Sequence, residues 1–458
     1  MTSNTEPESG RSRRRHYEGE PKGFFPRLSF HFHRKRRKIA QKFMHRLIQD
    51  NIELVPTQAK LRTKGRLLLS YFGKFSNHYS VLPIIGYEEA AQTIATLAEE
   101  TTYTVVAPQT PDGVGKQTTG RFPAIKARLF DDVDAAPCSA ALIVSDRICI
   151  PNLYLHHTNA IISDRRYLFW QSEDGLGLVY RTLPERHAGG IMLFGSGANN
   201  WYHWLLDVLP SAHFASKLPA EFANLPLVIP DEIARLPTFR DSLELFRDGR
   251  EVVTLGPKTH RFDQLVEIDG PILEPMNMRT EHWPDVEDYA YHPSALLDYR
   301  NAIRNRLGIS NVRHDDRVFL ARGHGRRAYN QDELLAIAER YGFRAVFPER
   351  LSFQQQVEMM TSAALVVGPS GAAFANTLFC EPGTRLLSWL VPQYRGFCSY
   401  TNIAQAVGAK LRYLFTTPDR PVNSTFDGFS AAYRIDPAEF EAALRMALDS
   451  PDNQAAKD

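Results

Sequence analysis

From about residue 290 onward the chain alternates short apolar runs with longer stretches whose apolar residues fall three or four apart, which is the grammar of strand followed by helix. This pattern predicts a helix over 294–307, a strand over 317–321, a helix over 331–341, a strand over 344–347 and a helix over 352–363. A strand over 365–368, a short helix near 372–379 and a strand over 385–390 follow. Strands that alternate with helices in this way form a parallel, doubly wound sheet.

Upstream the pattern is less regular. Between Gly190 and Pro271 two apolar runs, 226–230 and 251–255, flank a helical stretch at 238–246, again strand, helix, strand. Before them, the turn Gly195-Ser196-Gly197-Ala198 leads into Asn199 and Asn200, either of which can cap a helix running from Trp201 to Leu209, with Pro210 marking a break or a kink. Residues 52–190 mix strand-like runs such as 141–144 and 167–170 with turn-forming Pro, Gly and Asp. A proline-rich polar patch from Pro271 to Pro293 interrupts the alternation and places a domain boundary near 290.

Charge changes the picture at the N-terminus. The net charge of +2 conceals 13 Lys or Arg against four Glu in residues 1–46, a local balance of +9 that leaves the other 412 residues at −7. A basic arm on a mildly acidic body argues against a nucleic-acid-binding core, so no nucleic acid is expected as a partner. Dense like charge favours disorder in the arm, and Phe24, Phe25, Phe30 and Phe32 among the basic runs suit an anionic membrane surface contacted through residues 11–46, although a solvated tail accounts for them equally well. Four scattered cysteines without a Cys-x-x-Cys pair indicate neither a disulfide framework nor a zinc site. With no apolar run of ~20 residues and no apolar signal core, the expected location is cytoplasmic, peripheral at most to the inner face of a membrane.

Ligands of open parallel sheets bind beyond the carboxyl ends of the strands. Two loops fall there. The stretch Ala321-Arg322-Gly323-His324-Gly325-Arg326-Arg327-Ala328-Tyr329-Asn330 offers three guanidiniums, whose forks match phosphate oxygens, directly before a helix that Asn330 can cap. The stretch Gly368-Pro369-Ser370-Gly371-Ala372-Ala373-Phe374-Ala375-Asn376 brings small residues that let backbone amides approach an anion. Neither loop contains the dinucleotide fingerprint or the ATP-type phosphate loop, which weighs against dehydrogenase, epimerase and ATPase readings. On the predicted helix after Asn200, His203 and Asp207 stand four residues apart and share one face, as a base and an orienting carboxylate would; Trp201 and Trp204 could stack on a sugar or fill a core. No Asp-x-Asp metal signature appears at a strand end, and no His-Glu-x-x-His motif appears, so no metal site is expected.

Taken together, Asn200-Trp201-Tyr202-His203-Trp204, Arg322 with Arg327 and Asn330, the stretch 348–353, Gln356-Val357, and Gly368-Pro369-Ser370-Gly371-Ala372 through Asn376 resemble glycosyltransferase family 61. The resemblance covers about Gly190 to Leu390. It implies an α/β fold of the GT-B type, two Rossmann-type lobes facing a cleft: a basic arm over 1–50, an acceptor-side domain over 51–290 and a domain binding the nucleotide-sugar over 291–458. It further implies an inverting transferase that needs no metal or other cofactor and moves a sugar from a nucleotide-sugar, in the first instance a UDP-sugar, to a glycan or lipid-linked glycan in surface or capsular polysaccharide synthesis. Carried over by position, Arg322 and Arg327 would hold the donor diphosphate, Asn330 would shape that loop, and Ser370, Gly371, Ala372 and Asn376 would line the donor pocket; by their own chemistry Asn200, Trp201 and Trp204 are expected at the acceptor and His203 or Asp207 as base. The family loop commonly reads Gly-Pro-His-Gly-Ala, so Ser370 departs from it by losing a potentially charged imidazole. The rival readings are a member that binds nucleotide or glycan without catalysis and a membrane-peripheral scaffold.

Overall fold

The computed structural model describes residues 79–449 except 158, 163, 165–166, 172–174, 276, 279–281, 311–313 and 324–326. The basic arm, together with His324, Gly325 and Arg326 of the arginine loop, lies outside the described residues.

The C-terminal sheet has five strands, β1 (Asp316–Leu320), β2 (Arg344–Val346), β3 (Ala363–Val367), β4 (Arg385–Leu390) and β5 (Lys410–Phe415), in the spatial order β2-β1-β3-β4-β5. Every neighbouring pair is parallel. Their sequences explain this: β3 reads Ala-Ala-Leu-Val-Val and is almost wholly buried, as expected of a strand covered by helices on both faces. The helices Gln331–Arg340, Phe353–Ser362 and Ser399–Val407 fall close to their predicted limits or extend the same alternation. Ser352 opens the second of them with a capping box, its hydroxyl accepting from the Gln355 amide while the Gln355 side chain accepts from the Ser352 amide. Because the chain order reverses between β1 and β3, the crevice of the sheet opens where these two strands end. Gly368 closes β3 there because a Cβ would stand 2.7 Å from Leu320 Cβ and 2.9 Å from Leu320 O.

In the N-terminal half the parallel portion runs Val252–Leu255, Leu227–Pro230, Glu185–Met192 and His260–Ile268. Beyond His260–Ile268 the sheet turns antiparallel through Ile125–Ala135 and continues as far as Leu168–Gln171. The chain is thus mixed α/β, with a sheet of mixed direction before residue 268.

The helix after Asn200 differs from its expected form. Asn200 caps it, its side chain accepting from the Tyr202 amide at 2.9 Å. The helix does not stop at Pro210 but runs Trp201–His203, widens into a π turn over Trp204–Val208, and continues as Leu209–Ala215. A proline in a helix removes one amide donor and clashes with the preceding turn, and the π turn accommodates it without ending the helix. The segment from Pro271 to Pro293 is packed rather than a bare tether: Ile272–Leu273 pairs with Ala290–Tyr291, and Val286, Asp288 and Tyr289 are buried.

Candidate active site

Both loops beyond β1 and β3 meet at one atom. Arg322 Nη2 donates to the Ser370 carbonyl oxygen at 2.7 Å and Arg327 Nη2 donates to the same oxygen at 2.9 Å. Among the described residues neither guanidinium forms an ion pair. Burial, and then the charge of Arg322, make Arg327 easier to deprotonate than an ordinary arginine. Arg327 also holds φ at +63°, a left-handed conformation that costs free energy for a residue with a side chain. Two cations held together without a counter-charge form a receptor for an anion with several oxygens. Gly371 makes room for them, since a Cβ there would lie 2.6 Å from Arg322 Nη2. Gln331 braces the loop by accepting from the Arg322 amide at 2.7 Å and donating to the Arg322 carbonyl at 3.0 Å.

Next to this pair lies a shallow recess, with a cavity volume of only about 20 Å³, lined by Arg327, Ser370, Tyr394, Phe397, Phe429 and Tyr433. The Tyr394 and Phe429 ring centroids are 5.0 Å apart, and Phe429 is half exposed. An aromatic wall beside two guanidiniums suits a flat heterocycle joined to phosphates. A more open recess, lined by Gly308, Arg344, Gln355 and Ser362 among others, lies where β2 and β3 begin, away from these loops.

On the helix after Asn200, the His203 Nδ1 and Asp207 Oδ2 atoms are 2.6 Å apart. A second carboxylate faces the same nitrogen, Glu274 Oε1 at 3.7 Å. Burial alone would weaken proton binding by His203, but the Asp207 hydrogen bond and the charges of both acids overcome it and push the imidazole up to about 9. Glu274 is pushed up to about 7 by burial, with the charge of Asp207 adding to the effect and His203 opposing it. The ligand atoms of these three residues lie within 4.8 Å of one another, close enough to hold a metal ion, although a cation on Nδ1 would displace the bond already made to Asp207.

Tyr400 links the two parts of the site. Its hydroxyl is raised above the ordinary tyrosine range first by burial and then by the charge of Glu274, while Arg327 and Arg322 pull it back down. The acidic group and the arginine pair therefore act on a common side chain. A hydrogen bond also joins the helix carrying His203 to the turn after the glycine loop: Trp201 Nε1 donates to Asn376 Oδ1 at 2.9 Å.

Residues 201–387 match the family described as Glycosyltransferase 61. The chain carries a glycosyltransferase family 61 domain. Among curated proteins none matches the chain. The matched span begins at the helix bearing His203 and Asp207, contains both loops, and ends within β4.

For this glycosyltransferase the structure sorts the residues singled out in the sequence. It brings together Arg322, Arg327, Ser370 and Gly371, and it brings together His203 and Asp207. Ala372 starts the 3-10 turn Ala372–Phe379 directly after Gly371. Four residues stand differently from expectation. Trp204 is fully buried and its Nε1 donates to Ser242 Oγ at 2.9 Å, so its ring fills the core and offers no face to a sugar. Trp201 packs against Phe239 and Phe353 while its indole nitrogen is held by Asn376. Asn376 is itself 1% exposed and donates to Gln356 Oε1 at 2.8 Å, which makes it a brace behind the glycine loop instead of a pocket wall. Asn330 does not cap its helix with its side chain; the amide clasps the Ile435 backbone, accepting from its N–H at 3.1 Å and donating to its carbonyl at 3.0 Å.

Sequence reasoning missed Glu274 and the aromatic recess. Glu274 sits in the polar patch read as a connection, and no spacing rule relates it to His203. The recess draws on residues after the ends of β4 and β5, and their location at strand ends was the available signal.

Proposed function

We propose that the chain transfers a sugar from a nucleoside-diphosphate sugar, in the first instance a UDP-sugar, to a hydroxyl of a glycan acceptor, with inversion at the anomeric carbon and without a bound metal. The observation that carries this reading is the convergence of Arg322 and Arg327 on the Ser370 carbonyl without an ion-pair partner among the described residues. A diphosphate offers the oxygens those donors would meet, and charge that develops on it as the glycosidic bond breaks would be stabilised by fixed guanidiniums. The aromatic recess beside them supports a nucleobase as the rest of the donor. The acidic group around His203 supports deprotonation of the acceptor. Assembly of a surface or capsular polysaccharide, on a free or lipid-linked glycan, is the setting we assign to this reaction.

The test is calorimetry of the full chain against UDP, GDP, CDP and dTDP, repeated with Arg322→Ala. Binding of one nucleoside diphosphate that is lost or weakened at least tenfold in the variant supports the proposal. Absence of binding by the wild type, or binding indifferent to the substitution, would overturn it.

A further inference from the structure

Glu274 belongs to the site although it comes from a different segment of the chain than His203 and Asp207. The residue is only 9% exposed; the Ser399 and Tyr202 hydroxyls lie close enough to favour its charged form, but its Oε2 atom makes no hydrogen bond of ordinary geometry. Asp207 Oδ1 is likewise buried and unpartnered. Carboxylate oxygens removed from water without a donor are costly, and they are retained where an outside donor completes them. A hydroxyl is such a donor. The Glu274 backbone is fixed from behind by Tyr154, whose hydroxyl donates to the Glu274 carbonyl at 2.8 Å.

One imidazole stands between two carboxylates, so the group retains a negative charge when His203 is protonated. Asp207 is committed to His203 at 2.6 Å, whereas Glu274 approaches the same nitrogen only to 3.7 Å and is the less engaged with the imidazole. An imidazolium pinned between acids is a poor base, which turns attention from His203 to the carboxylates. We infer that Glu274 takes the proton of the acceptor hydroxyl, with His203 and Asp207 as its positioning residues. The inference rests on the donor and acceptor reading given above. The elevated affinity of Glu274 for a proton, near 7, suits that role.

The acceptor O–H bond breaks and its proton passes to a Glu274 carboxylate oxygen; the acceptor oxygen bonds to the anomeric carbon as the bond from that carbon to the diphosphate oxygen breaks. The leaving electron pair resides on the nucleoside diphosphate, beside Arg322 and Arg327. Glu274 then releases its proton to solvent.

The test compares full-length wild type, Glu274→Gln and Glu274→Asp in three measurements. Calorimetry with UDP reports the donor site alone, and equal affinity in wild type and Glu274→Gln is expected; failure of the wild type to bind UDP would count against the donor reading and not against Glu274. Transfer or hydrolysis with a panel of UDP-sugars should fall by about 10²- to 10⁴-fold in kcat for Glu274→Gln, with donor KM little changed and partial recovery in Glu274→Asp. A kcat within a few-fold of wild type overturns the inference. Nitrogen-15 NMR of the histidines needs no substrate and decides the matter if no donor in the panel reacts: the His203 titration should move to lower pH in Glu274→Gln, and an unmoved titration overturns the inference. So does saturable binding of Mn²⁺ or Mg²⁺ that the Gln variant abolishes, since the carboxylate would then serve a cation.

Discussion

Trp201 hands its indole proton to Asn376 across 2.9 Å, and through that bond the helix carrying His203 and Asp207 is fastened to the turn that follows the glycine loop. Asn376 passes the constraint on to Gln356 at 2.8 Å. All three side chains are committed to one another.

Asn376→Ala should therefore act on stability and on the loop together. It leaves the Trp201 N–H and the Gln356 amide oxygen without partners, which costs about 1–3 kcal/mol when such groups are buried. Urea unfolding should show a lower midpoint with the slope unchanged, and UDP affinity should fall without any contact between Asn376 and the nucleotide. An unchanged midpoint would refute the bracing role.

The arginine pair should prove insensitive to conservation of charge alone. Arg322→Lys keeps a cation but loses the planar fork, so it should bind UDP nearly as weakly as Arg322→Ala, with each substitution costing about 1.5–3 kcal/mol. Calorimetry in low and high salt checks this. Full recovery by lysine would mean that only a point charge is required.

Two glycines three residues apart should respond differently to the same methyl group. At Gly368 the added Cβ meets the Leu320 Cβ and carbonyl, which are backbone-anchored and cannot move away, so Gly368→Ala should destabilise the fold by about 1–3 kcal/mol. At Gly371 it meets the far end of Arg322, a flexible side chain that can swing aside. Gly371→Ala should unfold close to wild type yet bind UDP more weakly. Equal thermal shifts for the two variants would contradict this assignment.

Stability should fall as pH rises from neutrality toward 9. His203 binds its proton more tightly in the folded chain, with a value near 9, than in the unfolded chain, where the ordinary value is 6.5. Between those values the folded state holds more protons, so this contribution is complete below about pH 6.5 and is lost as pH climbs through about 9, amounting to roughly 3 kcal/mol. Glu274, raised from 4.5 to about 7, acts in the same direction over the lower window from 4.5 to 7. Urea unfolding of wild type and His203→Asn at pH 6 and pH 9 tests the sign: the difference between the two pH values should shrink in the variant.

Phe429→Ala tests the aromatic recess. Loss of one ring from a stacking wall should weaken UDP binding by about 1–3 kcal/mol while inorganic pyrophosphate, which has no base, binds as before. A parallel loss of both ligands would place the ring's contribution in loop structure rather than base recognition.

Local chemistry made the C-terminal half legible. The apolar run of β3, the Ser352 capping box and the succession of short apolar runs and stretches of period 3.6 specify their elements from neighbours in sequence, and a parallel sheet then puts the Arg322 and Gly368 loops at the same edge. The Asn200 cap and the His203–Asp207 pair were readable for the same reason, because their partners lie within two to four residues. What depended on distant parts of the chain was not. Whether Trp204 meets a sugar or the core depends on Ser242 and the π turn before Pro210; whether Asn330 caps its helix depends on Ile435; and Glu274 reaches His203 only because the segment after Pro271 packs instead of spanning open space. Helix and strand periods are set by neighbouring residues, so the sequence carries them on its face. Side chains that choose between a local partner and a remote one are decided by which desolvated group lacks a hydrogen bond after packing, and that is a property of the tertiary structure alone.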